Sequence, residues 1–391
     1  MNPVQVLIGG LIAVGIPLVF LLVIYMLDLY ASRTFRLVLL CFGWGAVGGL
    51  ALSLWFNEYV AMSLIARFAL SELWLYVAFA PFAEEIFKSI SLFYVARRSE
   101  FTYFVDGAIY GFASGIGFSI TENFLYIRYS PDQAIGLSLI RAFSTCLMHG
   151  TAAGLVGAVV GRFRFQKRSG RRLALVGGWL AAIVLHGLFN SISQGGFVPE
   201  GLIPILGVGA GLAGVVMIGF VIMRGLKEQR QWFVETLDRK TGVSGAEVRA
   251  AQAYASIDEV LEPITKQFPA KAGQVRDLLL RQAQLGIKRK VQQRMESPEM
   301  QEQLGVEIER LQAEMEKLRK EVGPYVMVFV RAVFPAGASD VWARLESLGE
   351  GLGPTDPDAW KGQLESDRPS SGRNIFDRMR VDDDGEGTPS G

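Results

Sequence analysis

Residues 4–27 read VQVLIGGLIAVGIPLVFLLVIYML and carry no charged side chain. An apolar run of ~18 or more residues is long enough to cross the ~30 Å hydrocarbon core of a bilayer as a helix. No basic stretch precedes this run, and it exceeds the apolar core of a cleaved signal peptide, so it is read as a lasting span. Further runs follow at about 37–56, 73–96, 104–127, 134–160, 173–194 and 201–223. The stretch 58–72 is more mixed, with Glu58, Arg67 and Glu72, and reads as an interfacial or re-entrant helix leading into the third span. Of the 391 residues 50% are hydrophobic, mean hydropathy is +0.29, and the long apolar runs all lie before Arg224. These features predict an all-α fold, a polytopic transmembrane bundle of about seven spans plus that one extra helix. A helical cytoplasmic C-terminal region follows it.

Glycines Gly111, Gly115, Gly117, Gly154, Gly157 and Gly161 fall at small-xxx-small spacings that let membrane helices approach closely. Lys and Arg set the expected orientation. Arg33, Arg36, Arg97, Arg98 and the cluster Arg162, Arg164, Lys167, Arg168, Arg171 and Arg172 fall on one side, and the intervening loops are poor in base. This places the N-terminus outside and the C-terminus in the cytoplasm, in the bacterial cell membrane. Net charge is +1, which gives no reason to expect a nucleic-acid partner. Cys41 and Cys146 both sit in apolar runs and imply no disulfide framework.

Three segments result: a transmembrane domain over 1–224, a cytoplasmic helical region over 225–352, and a disordered tail over 353–391. In the second, Leu304, Ile308, Leu311, Met315, Leu318 and Val322 alternate spacings of four and three, a short coiled-coil-like seam. The helix 304–322 is therefore a candidate for binding a cytoplasmic partner or for self-association. Tyr325–Val333 is apolar but too short to span. The tail, rich in Pro, Gly, Ser and Asp, has a composition that cannot bury a core.

The informative residues are the polar ones inside the spans. A charged side chain at the bilayer centre costs ~2.5–3.5 kcal/mol or more, so it persists where it faces the bundle interior with a partner or a function. Glu84, Glu85 and Lys88 in PFAEEIFKSI, Glu122 in GFSITENFLYI, Arg141, and the chain's two histidines, His149 and His186, are such residues. At ~1.5 Å of rise per residue, Glu84 and Glu85 sit mid-span, and both histidines lie within about 5 Å of the midplane. Glu122 lies roughly 10 Å outward of the middle of its span. Four spans thus bring titratable groups to similar depth.

Glu84 and Lys88, four apart, share a helix face and can pair. Glu85 then points ~100° around the helix, available for another role. Asn123 and Asn190 add polar tips, Asn190 four residues after His186. Peptide hydrolysis needs an activated water, a base for its proton and a donor for the oxyanion. Desolvation in an apolar bundle strengthens a carboxylate as a base. Two imidazoles and a carboxylate are also the ligand set of a catalytic zinc. Glu122, His149 and His186 would hold a Zn2+ if a metal is used, and a metal-free route is the alternative. The structural alternatives are a Glu–Lys clamp and histidines satisfied by interhelical hydrogen bonds. Arg141 reads as a structural or substrate-carboxylate contact, and Cys146 as a packing residue. No HExxH, no pair of mid-membrane aspartates and no GxSG is present, which sets aside three other intramembrane protease types.

The motifs resemble the PrsW family of intramembrane proteases, relatives of the CAAX-processing and bacteriocin-immunity membrane proteases. The resemblance rests on EExxK at Glu84, Glu85 and Lys88, on FxxxE from Phe118 to Glu122, and on the segments of His149 and His186, and it covers about residues 1–224. It implies that Glu84 and Glu85 are essential, one of them activating the water, and that Glu122, His149 and His186 complete the site. Lys88, Asn123 and Asn190 would lie beside it, His186–Asn190 resembling the HxxxN form of the wider superfamily. It further implies hydrolysis of a peptide bond in a membrane-protein substrate, as in regulated proteolysis of an anti-sigma-factor-like protein. The competing classes are a proton- or cation-coupled transporter and a non-catalytic membrane scaffold.

Overall fold

Apolar runs of this length fold as helix because hydrocarbon offers no partner for a free backbone N–H or C=O. The computed structural model describes residues 3–27, 35–98, 100–164, 168–194, 196, 198–236, 257–295 and 298–333, and among them there is no strand. Helix α1 covers Pro3–Met26. Helix α2 runs from Phe35 to Phe68, with π-helical turns at Trp44–Gly49 and Asn57–Ala61. A third π turn, Leu75–Phe79, leads into α3 (Ala80–Lys88) and α4 (Ile90–Val95). Next come α5 (Phe104–Tyr129), α6 (Ala134–Phe143), α7 (Thr145–Arg162), α8 (Arg168–Gln194) and α9 (Ile203–Thr236).

Among the described residues, five stretches are long and apolar enough to cross a membrane: Pro3–Met26, Phe35–Phe68, Pro131–Arg162, Ser169–Gln194 and Glu200–Gln229. The chain is an integral membrane protein. The expected spans at 73–96 and 104–127 are not among the five. The first is divided at Ser89, and glycine, serine and Asp106 dilute the second. The second lies in the interior, buried from Phe104 to Ile120, whereas the first buries Glu84, Glu85 and Lys88 and leaves Phe82, Ile90 and Tyr94 exposed. The expected separate helix at 58–72 is also revised: 57–68 continues α2, which ends at Ala69 in the left-handed conformation (φ 50°).

A serine stands at each of the two divisions. Ser89 Oγ donates to Glu85 O (2.5 Å) and Ser144 Oγ to Ile140 O (2.7 Å). Such back-bonding competes with the helical ladder. Ser144, with φ −109° and ψ −85°, separates α6 from α7 within what the sequence presents as one span.

At the centre stands α5, buried on every face from Phe104 to Ile120. It can be central because its glycines let α7 approach to backbone contact. A Cβ added at Gly107 would lie 2.0 Å from Gly157 O, and one at Gly115 would lie 2.2 Å from His149 O. On the opposite side, Gly45 of α2 meets Ser114 O in the same way. Gly157→Ala should therefore cost about 1–3 kcal/mol by overpacking, read as a lower thermal unfolding midpoint in detergent. Gly177→Ala, with open space at its Cβ, is the control and should not lower it.

The last span continues without a break into the C-terminal region. There α10 (Ile257–Gln267), α11 (Ala272–Arg294), α12 (Pro298–Val322) and α13 (Pro324–Val333) pack together, with α11 against α9. Residues 282–288 of α11 are buried on all sides, and Lys288 reaches Glu307 of α12 at 2.5 Å. The seam Leu304, Ile308, Leu311, Met315 and Val322 is buried within the chain, with α12 packed on α11. Intramolecular packing thus accounts for that heptad-like pattern. The tail assigned to 353–391 lies outside the described residues.

Candidate active site

EExxK lies on α3, a helix of nine residues pinned on three sides. Trp44 Nε1 donates to Phe87 O (2.8 Å), Ser114 Oγ to Lys88 O (3.0 Å), and Trp179 Nε1 to Ser89 Oγ (3.2 Å). Glu85 and Lys88 face inward with side chains fully enclosed. Lys88 Nζ donates to Glu85 Oε1 at 2.7 Å and lies 2.8 Å from His149 Nδ1 and 4.6 Å from the Phe118 ring centroid. The pairing expected between Glu84 and Lys88 is thus taken by Glu85. Neighbours three and four apart on a helix are both within reach, and His149 draws the lysine to the Glu85 side.

The two imidazoles meet edge to face with centroids 4.7 Å apart. Glu85 Oε1 accepts from His186 Nδ1 (2.9 Å) as well as from Lys88. A proton on Nδ1 leaves the lone pair of His186 on Nε2, which faces Glu84 Oε2 at 3.8 Å. His149 has both nitrogens engaged, Nδ1 by Lys88 and Nε2 by Glu122 Oε2 at 3.3 Å. Glu122 in turn accepts from Arg141 at 2.7 Å.

Glu84 differs from its neighbours. Its Oε2, like Glu85 Oε2, is buried with no hydrogen-bond partner, but Glu85 is held through Oε1 by Lys88 and His186, and the Glu84 side chain is 11% exposed against 0% for Glu85. In formal charge, Lys88 matches Glu85 and Arg141 matches Glu122. Glu84 is the unmatched carboxylate, the one left to take up a proton or a cation.

The structure gathers Glu84, Glu85, Lys88, Glu122, His149 and His186 from α3, α5, α7 and α8. Glu84, His149 and His186 offer ligand atoms within 4.8 Å of one another. One carboxylate and two imidazoles are a donor set that fits a catalytic divalent cation, and His186 held by Glu85 has the carboxylate–histidine support usual for such ligands. His149 would join at the cost of one of its two contacts. Of the expected trio, His149 and His186 fall in this group together with Glu84, while Glu122 stands beside it, 3.3 Å from His149 Nε2 and paired with Arg141. Asn123 lies next to the site, donating to Cys146 Sγ (3.1 Å) and accepting from Arg141. The amide of Asn190 donates to Tyr76 O at 2.9 Å. The grip of Arg141 on Glu122 was not read from the sequence. A lone arginine in an apolar run is the signal, since buried charges in spans find opposite partners.

With that geometry in view, the class takes shape: residues 33–223, just under half of the chain, match the family described as PrsW family intramembrane metalloprotease, and the match supports assigning the chain to the PrsW family. A curated relative, Protease PrsW of Halalkalibacterium halodurans, is 28% identical over 170 residues, which is 43% of this chain and 75% of that protein. Protease PrsW of Clostridioides difficile is 31% identical over 123 residues, 30% of this chain and 52% of that protein. No solved structure matches the chain.

Proposed function

We propose that the chain is an intramembrane endopeptidase that hydrolyses a peptide bond of a membrane-protein substrate, with Glu84 at the reacting water. The observation that carries this is the buried, unpartnered Glu84 Oε2 facing His186 Nε2. Glu84 takes the proton of the attacking water and returns it to the leaving amine. Glu85 does not reach the substrate; it holds Lys88 and fixes His186. His186, through the lone pair on its Nε2, helps orient the water, and the N–H on His149 Nε2, released from Glu122, is the donor for the oxyanion. Glu122 sets the ring of His149. If a divalent cation is bound, Glu84, His149 and His186 would hold it, and it would supply Lewis acidity and a more acidic water. The surrounding spans exclude bulk water, which strengthens every one of these contacts.

The test is a quenched-fluorescent peptide of one apolar span, reconstituted with the wild-type chain in phosphatidylcholine vesicles. Fluorescence should rise, and mass spectrometry should find two fragments whose summed mass exceeds the peptide by one water. Intact peptide after prolonged incubation across a panel of span sequences would count against the proposal.

A further inference from the structure

We infer that Arg141 is a positioning residue that acts on the reaction through Glu122. The inference rests on the protease reading of the site. Arg141 sits near the end of α6, three residues before the break at Ser144. Helix α6 packs chiefly along α1, so the long arginine side chain supplies the link from α6 to the face of α5 that bears Glu122.

That link has three parts, all on adjoining turns of α5. Nη2 donates to Glu122 Oε2 at 2.7 Å, Nε donates to Asn123 Oδ1 at 2.6 Å, and the guanidinium carbon lies 3.7 Å from the Tyr126 ring centroid. Its side chain is 11% exposed and that of Glu122 18%, so the contact is largely removed from solvent. A planar fork with fixed donors and a face that stacks on an aromatic ring fits this arrangement, and a lysine point charge does not.

The Glu122 oxygen that Arg141 grips also lies 3.3 Å from His149 Nε2. Arg141 therefore sets where that oxygen stands, and the oxygen sets the plane of the His149 ring. Without the guanidinium, Glu122 becomes a second unmatched carboxylate beside Glu84 and is free to turn from His149. The role differs from that of a substrate-carboxylate receptor, because Nε and Nη2 of Arg141 are directed at Asn123 and Glu122 of α5.

The experiment compares Arg141→Met, Arg141→Lys, Glu122→Gln and the Arg141→Met/Glu122→Gln double variant in the vesicle cleavage assay, with Glu84→Gln as control. Loss of an outer-shell partner of this kind lowers activity about 10–100-fold. For Arg141→Met that loss should appear in kcat with KM unchanged, and Arg141→Lys should recover part of it. The double variant should be no slower than Glu122→Gln alone, since coupled sites are non-additive. The chain has two histidines, so 15N-imidazole spectra resolve each ring. Arg141→Met should move the His149 Nε2 resonance and leave His186 in place. Wild-type kcat in either Arg141 variant, losses that add in full in the double variant, or an unmoved His149 signal would overturn the role given to Arg141. Should the methionine variant fail to fold, the lysine variant decides by the same rate and spectrum. If Glu84→Gln cleaves as fast as wild type, the site itself is misassigned and the inference falls with it, a result distinct from failure at Arg141 alone.

Discussion

Glu84→Gln is expected to lower kcat by about 10^2–10^4-fold, the usual worth of a general base, with no change in thermal stability. Among the described residues, the Oε2 of Glu84 is buried without a hydrogen-bond partner. Glutamine has the same shape, so nothing that holds the bundle together is removed. Circular dichroism melts and cleavage rates on the same preparation separate the two effects. A variant that keeps near-wild-type turnover would transfer the base to another group, and one that unfolds would make Glu84 structural.

Glu85→Ala should behave in the opposite way. Its Oε1 is shared by Lys88 at 2.7 Å and His186 at 2.9 Å, with both ion-pair side chains fully enclosed. Removing one partner of a buried pair leaves an uncompensated charge and costs about 3–5 kcal/mol. The loss should show as a large fall in the unfolding midpoint, accompanied by loss of cleavage because His186 is no longer fixed. Restoring length without charge, in Glu85→Gln, should regain part of the stability. An Glu85→Ala protein as stable as wild type would mean that Lys88 finds another acceptor and that the clamp is not where the bundle's polar centre is held. Together the two adjacent carboxylates divide the work: one is free to react and the other is tied down.

Much of this was legible in the sequence because the membrane limits the choices. Long apolar runs mean helices, and their glycines at small-xxx-small spacing anticipate the α5–α7 contact at Gly111, Gly115 and Gly157. Depth alone brought Glu84, Glu85, His149 and His186 to one level. What depth and spacing could not decide was direction around each helix. Glu84 and Glu85 are both within helical reach of Lys88, and the choice was made by His149, 61 residues further on. The break at Ser144 was hidden because a serine hydroxyl that bonds back to its own helix leaves no trace in hydropathy. For Asn190, four residues after His186, spacing likewise could not say which neighbour its amide would take, and the carbonyl of Tyr76 takes it. The heptad-like pattern from Leu304 to Val322 identified a buried face correctly, yet a periodic apolar stripe does not say whether its cover comes from the same chain.

The most direct measurement is a cryo-electron microscopy map of the wild-type chain in a lipid nanodisc, at a resolution that places side chains. Glu84 should be found facing the Nε2 atom of His186, beside the ring of His149, with Glu85 joining Lys88 and His186 behind them. A map in which Glu84 points to acyl chains, or in which α7 and α8 hold their imidazoles too far apart to share a water, would contradict the account.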